Sequence, residues 1–132
     1  MKRDSLAPSV LLVDDEPQVV FVLQFSLEAE GYRTFTARNG REALAEIDQN
    51  HPSLMVLDIM MPTMDGWSVL EELLKLPEAE RPRVVSVSAL ASVQDRAKAA
   101  QLGADAYVAK PFDVMELVEV LRGLDEGYVA AS

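Results

Sequence analysis

The stretch MVLDIMMPTMDGW, Met55 to Trp67, starts as an apolar run, ends that run on one acid, Asp58, and breaks at Pro62 and Asp65-Gly66 before a segment at helical spacing. The run reaches back to Leu54 and shows no polar alternation. LMVLD therefore reads as a strand buried on both faces, as in a parallel sheet covered by helices. Carboxylates are normally kept out of such places. Asp58 either caps something locally or brings its charge to the sheet edge, and the rest of the chain has to decide between them.

The alternation continues in both directions. SVLLV (Ser9 to Val13) is a second buried strand ended by DDEP, and Pro17 suits the first turn of a helix running to Glu30 with Gly31 as its stop. RTFTA (Arg33 to Ala37) alternates like an edge strand, and NGREALAEIDQN puts Ala43, Leu44 and Ile47 on one helical stripe. Downstream, WSVLEELLKL is a helix, Pro77 and Pro82 bracket a loop, and VVSVS (Val84 to Ser88) is a strand. SVQDRAKAAQLG is a weakly apolar helix closed by Gly103, AYVA (Ala106 to Ala109) a short strand, and DVMELVEVLRGL a last helix with Val114, Leu117, Val118 and Leu121 on one side. Five strand–helix units joined by right-handed crossovers make a doubly wound (βα)5 α/β fold, a three-layer sandwich around a parallel sheet.

The 132 residues fit one domain, assigned to 8–124, with 1–7 and 125–132 as flexible termini. There is no cysteine, hence no disulfide framework or thiolate metal site, which fits a reducing compartment. No apolar run approaches the length of a membrane span and the start MKRDSLAP lacks a signal-peptide core, so a cytoplasmic protein with no membrane contact is the expectation. The net charge of −10 argues against direct nucleic-acid contact, which rests on clustered Lys and Arg.

Open sheets of this kind bind ligands beyond the carboxyl ends of their strands. Just there lie Asp14 and Asp15, Asp58, Ser88 and Lys110. Three carboxylates within about 5 Å would repel by roughly 3 kcal/mol per pair at an effective dielectric near 20. Such a cluster needs a cation, and oxygen-only ligands favour a hard one, Mg²⁺ in particular. Lys110 and Ser88 suit a phosphoryl group, the one as a compact positive charge and the other as a hydrogen-bond donor. Asp14 or Asp15 also suits a cap for the helix near Pro17, Ser88 a locally satisfied hydroxyl, and Tyr107 a core-rim aromatic. Asp65 and Gly66 read as loop-shaping residues that start a helix, and His51 as a loop residue.

DDE after the first strand, LDIMMPTMDG around the third, SVSA at the fourth and YVAKPF at the fifth together resemble the receiver domain of two-component response regulators. The resemblance covers Pro8 to Leu124. It implies a sheet of order 2-1-3-4-5. It implies that Asp58 is the phosphoacceptor, taking its phosphoryl from a phosphohistidine on a sensor histidine kinase or histidine phosphotransfer protein. It further implies that Asp15, Asp58 and the backbone carbonyl of Met60 ligate Mg²⁺ while Asp14 acts through water. Ser88 is then the switch hydroxyl, Tyr107 the switch aromatic, Lys110 the phosphate-pairing lysine, and Lys110-Pro111 a cis bond. Ser88 moving toward the phosphoryl would let Tyr107 swing inward and change the face of the fourth helix, fifth strand and fifth helix for a downstream protein effector. Trp67 should lie near enough to report Mg²⁺ by fluorescence.

Two departures inform. Met60 and Leu90, two residues after Asp58 and Ser88, are apolar where the family often places polar side chains, so the phosphoaspartate should be long-lived. ADAYVAKPF and ELVEVL lack the second acid and helix arginine of the winged-helix subfamily's dimer face, which puts that charged dimer in doubt. On the first helix, Val19, Leu23 and Leu27 form the buried stripe while Phe21 and Phe25 form an outward pair. That pair reads equally as a kinase docking anchor and as a patch under the chain's own tail. An effector is expected outside these residues, since only eight follow Leu124; a free-standing regulator and a domain of something longer both fit. A phosphohydrolase with an aspartate nucleophile would want a second acid at Met60, and a flavodoxin-like nucleotide binder a Gly- or hydroxyl-rich loop where DDEP stands. A degenerate receiver is disfavoured because the acids, hydroxyl and lysine are all present.

Overall fold

In the computed structural model, which describes residues 8–90 and 92–131 and side chains as far as Asp125, five parallel strands form one sheet. They are β1 (Ser9–Val13), β2 (Arg33–Ala37), β3 (Leu54–Asp58), β4 (Arg83–Ser88) and β5 (Ala106–Ala109), in the order β2-β1-β3-β4-β5. The helices are α1 (Pro17–Ala29), α2 (Gly40–Asn50), α3 (Gly66–Leu73), α4 (Val93–Gln101) and α5 (Val114–Ala131). None of them is long and apolar enough to cross a membrane.

The two-residue period of the strands sorts their side chains into two cores. Val10, Leu12, Val56, Val85 and Val87 pack with Leu23 and Leu27 of α1 and Leu117, Val118 and Leu121 of α5. Leu11, Val13, Met55, Leu57 and Val84 pack on the other side with Ala43 and Ile47 of α2 and Val69, Leu70 and Leu73 of α3. Every residue of β1 and β3 is buried, which is why those runs are continuously apolar. β2 shows exposed and covered residues along its length, as an edge strand should.

Helix boundaries follow local chemistry. Pro17 opens α1, and Gly31, at φ +97°, takes the chain out of it. The Asn39 side chain accepts from the Glu42 amide at 2.9 Å to start α2, and Ser92 and Asp95 form a reciprocal capping box on α4. His51 sits in a left-handed conformation at the end of α2, a loop residue as read. Two boundaries differ from the sequence reading. α3 ends at Leu73 and not at Leu76, because the Arg81 guanidinium donates to the carbonyls of Leu74 (3.2 Å) and Leu76 (2.9 Å) and holds them in a turn. α5 runs past Leu124 to Ala131 through Gly123 and Gly127, a tolerable cost of about 1 kcal/mol for a glycine inside a helix. The N-terminal segment 1–7 that was read as flexible lies outside the described residues.

Candidate functional site

Parallel strands end together, so four connections converge on one edge of the sheet. Backbone bonds carry the ladder one residue past the strands there. The Asp14 amide donates to Ala37 (3.1 Å), Ile59 to Val87 (3.0 Å) and Lys110 to Ser88 (2.9 Å). Each functional side chain thus hangs from backbone that is fixed by the sheet. Lys110-Pro111 is cis, as read.

The connection after β3 is pinned by two glycines. A Cβ on Gly66 would lie 2.7 Å from both the Asp58 carbonyl oxygen and Ile59 Cα, and the Gly66 amide donates to Ile59 at 2.9 Å. A Cβ on Gly40 would meet Met64 Cγ at 2.7 Å, and its amide donates to the Met64 carbonyl at 3.1 Å. Asp65 caps α3 through the Ser68 amide (3.0 Å) and takes no part in the acid cluster.

Asp14 and Asp58 are 6% and 3% exposed while Asp15 is open to solvent, and one carboxylate oxygen of each lies within 4.8 Å of the others. Lys110 Nζ reaches Asp14 Oδ2 at 3.0 Å, Glu16 Oε1 at 3.1 Å and Asp58 Oδ2 at 3.4 Å. Asp58 Oδ1 accepts from the Met60 amide (3.1 Å), and Asp14 Oδ1 accepts from the Glu16 amide (2.9 Å). Burial first, and then the Asp14 charge, push the Asp58 carboxyl up to about 6, against the pull of Lys110 and the Met60 amide. Burial works against the Lys110 ammonium, yet its bonds to Asp14 and Glu16 and the charges of Asp14 and Asp58 outweigh that and hold it above the ordinary lysine range. Asp14, Glu16 and Asp58 share the one ammonium and Asp15 adds a fourth carboxylate to the cluster, which leaves the site short of positive charge. An all-oxygen set, buried on two members and open on the third, fits a hard divalent ion that keeps part of its water shell.

Glu16 is the residue that sequence reading missed. It is the third acid of DDEP and the N-cap of α1, yet its side chain makes no cap bond, which leaves it free for Lys110. The alternative of Asp14 or Asp15 as N-cap is not what the fold uses; Asp14 instead ties down the Glu16 amide just before the helix.

Ser88 is fully buried, and its Oγ accepts from the Leu90 amide at 3.0 Å. The half-buried Tyr107 donates its phenol proton to the Leu90 carbonyl. Burial raises the Tyr107 phenol, a hydrogen bond with Ser88 acting the other way. The two side chains therefore grip opposite ends of one residue's backbone. Met60 presents its amide to Asp58 while its side chain is 56% exposed, and Leu90 is also exposed. Trp67 packs on the α2–α3 core with Lys98 Nζ 4.4 Å above its ring. Phe21 and Phe25 face outward, about 70% exposed. An apolar groove of about 480 Å³ runs between Val19, Val22 and Leu23 of α1 and Pro111, Phe112 and Val114, with Glu16 and Lys110 also in its lining; Phe21 instead lines a hollow shared with Asp14 and Asp15.

The sequence profile of the family described as response regulator receiver domain matches residues 10–122. A protein of Cyanophora paradoxa named "Probable transcriptional regulator ycf27" is 44% identical over 115 residues, 87% of this chain and 47% of its own length. The chain spans about half the length of the curated relatives it first matches. Among solved structures, the receiver domain of the Francisella response regulator 1452 superposes with a TM-score of 0.85 at 33% identity, over 92% of this chain and 98% of that one. A CheY-like receiver domain protein of Methanospirillum hungatei JF-1 does so with a TM-score of 0.89 at 28% identity, over 96% and 100%.

Proposed function

The chain belongs to the response regulator receiver family of two-component signalling, and on that premise we propose that it is a Mg²⁺-dependent phosphoryl acceptor whose acceptor is Asp58. The observation that carries this reading is the Lys110 ammonium bonded to both Asp14 and Asp58 beside three carboxylates that come within 4.8 Å. An Asp58 oxygen attacks the phosphorus of a phosphohistidine on a sensor kinase or phosphotransfer protein. The P–N bond breaks, its electron pair goes to the imidazole nitrogen, and an acyl phosphate forms on Asp58. Lys110 leaves the carboxylates to pair with the incoming phosphoryl oxygens. Asp15, Asp58 and the Met60 carbonyl, with Asp14 acting through water, would hold Mg²⁺, which would supply charge neutralisation for that transfer. The chain catalyses only its own phosphorylation and dephosphorylation.

The phosphoryl is a strong acceptor for the Ser88 hydroxyl proton. Ser88 then releases the Leu90 amide, and Tyr107, bonded to the Leu90 carbonyl, re-sets with it. The readout is the α4–β5–α5 face, presented to a protein effector. Phe21 and Phe25 on α1 receive the phosphodonor protein, consistent with their exposure and with Phe21 lining the same hollow as Asp14 and Asp15. The −10 net charge supports output through protein contact over contact of this chain with nucleic acid.

Incubation with Mg²⁺ and a small phosphodonor, followed by intact-mass measurement, tests the acceptor. The wild type is expected to gain one phosphoryl and Asp58→Asn none. No adduct on the wild type overturns the proposal, and an adduct on Asp58→Asn moves the site.

A further inference from the structure

α4 is the helix least anchored in the core: of its residues only Ala99 is buried, and Val93 is 81% exposed. Yet one of its exposed side chains makes two contacts to a single residue of the sheet. The Arg96 guanidinium carbon lies 5.2 Å from the centroid of the Tyr107 ring, and Arg96 Nη1 donates to the Tyr107 backbone carbonyl at 3.3 Å. The first contact faces the ring's negative π surface, and the second fixes where the guanidinium stands over β5. From the other side the Tyr107 phenol is bonded to the Leu90 carbonyl, in the connection that leads into α4. Tyr107 is thus held at ring, carbonyl and hydroxyl by α4 and the segment before it.

The register neighbour of the ring is small. Tyr107 stands opposite Ser86 in the β4–β5 register. Ser86 is fully buried and its Oγ has no hydrogen-bond partner. A small residue with an unused hydroxyl at that place does not wedge the ring in position. Ser86 gives the ring little support from below, so the Arg96 contacts from α4 act together with the phenol's bonds to Leu90 and Ser88 in placing it.

We infer that Arg96 is a positioning residue for the switch: it sets the rotamer of Tyr107 and ties the movement of that ring to α4. This rests on the reading of Tyr107 as the switch aromatic of a phosphorylated receiver. A change at Asp58 that re-aims Leu90 moves the phenol's acceptor, the ring follows, and Arg96 carries the displacement to the helix surface. Without Arg96, Asp58 still accepts its phosphoryl, since Arg96 makes no contact with the acid cluster, but α4 no longer reports it.

The test uses the full chain by NMR, as wild type, Arg96→Ala and Arg96→Lys. Arg96 is exposed and alanine favours helix, so the fold survives the change. In unmodified wild type the Tyr107 side chain should show a single χ1 rotamer. Arg96→Ala should show averaging between rotamers, with Arg96→Lys between the two, since lysine keeps a cation over the ring but loses the planar fork. After Mg²⁺ and phosphodonor, the amide shifts that phosphorylation induces in residues 94–100 should fall at least twofold in Arg96→Ala at equal Asp58 labelling. A single Tyr107 rotamer with full α4 shifts in Arg96→Ala overturns the inference. If wild type takes up no phosphoryl, the acceptor reading fails, and the rotamer comparison in unmodified chains still decides the role of Arg96.

Discussion

Asp58 is an ionisable group at the end of a strand whose every residue is buried, and its cost should be measurable without any partner. Its carboxyl is raised from 3.8 to about 6, first by burial and then by Asp14. The metal-free folded state therefore holds this proton more tightly than the unfolded chain does. The sign follows: the stabilisation is fully present below about pH 4 and is lost as pH rises through 6, in total on the order of 2–3 kcal/mol. Urea unfolding in chelator is expected to show stability falling between about pH 4 and 6.5, with the fall flattened in Asp58→Asn and reversed by millimolar Mg²⁺. An unchanged slope in Asp58→Asn would place the pH dependence elsewhere. The same group illustrates what a sequence shows and what it hides. An acid at the end of LMVLD is visible as an anomaly, and so are the acids of DDE. That Glu16 shares Lys110 with Asp14 and Asp58 is a contact across 94 residues, and no local pattern carries it.

Among the elements, the β3–α3 connection is where sequence and packing meet most tightly. Gly66 reads as a loop-shaping residue, but its reason is steric, since any side chain there drives into the backbone of Asp58 and Ile59. Gly66→Ala should cost about 1–3 kcal/mol of stability as an overpacked site and weaken Mg²⁺ binding by shifting Asp58; wild-type values for both, by denaturation and calorimetry, would contradict this. Strand positions and the α1 and α2 starts were legible because periodicity, Pro17 and Asn39 act locally. The end of α3 was not, since Arg81 decides it from the next segment, and the length of α5 was not, since Gly123 and Gly127 are poor helix formers that read as a stop. On α1, the outward pair Phe21 and Phe25 was legible from spacing alone. With both rings largely in solvent, Phe21→Ser with Phe25→Ser should cost only about 1 kcal/mol. It should slow transfer from a phosphohistidine protein at least about tenfold, the equivalent of 1.4 kcal/mol, while labelling by a small phosphodonor stays unchanged. Equal slowing with both donors, read by mass, would place the defect in the acceptor chemistry and remove docking from α1.

For the whole molecule, the proposed function raises the question of how long a switched state lasts, because on that proposal the sheet is a rigid platform and a phosphoryl on Asp58 biases which arrangement of Leu90, Tyr107 and α4 is populated. On that proposal signal duration is the lifetime of the acyl phosphate, which would end when water attacks phosphorus in line with the Asp58 oxygen. That attack is accelerated by a group that orients the water or takes its proton, as general bases do by factors of about 10² or more. At this edge of the sheet the two exposed side chains that follow Asp58 and Ser88 by two residues are Met60 and Leu90, and neither can accept a proton. Lys110, paired in that state with the phosphoryl oxygens, stays charged and cannot serve as a base either. The phosphorylated protein should therefore persist for minutes or longer in Mg²⁺, followed by intact mass after the phosphodonor is removed. Met60→Glu or Leu90→Glu, which places a carboxylate at the mouth without touching the acid cluster, should shorten that lifetime about tenfold. A wild-type half-life of seconds would show that water is already well placed, and unchanged decay in both glutamate variants would show that these positions do not control it.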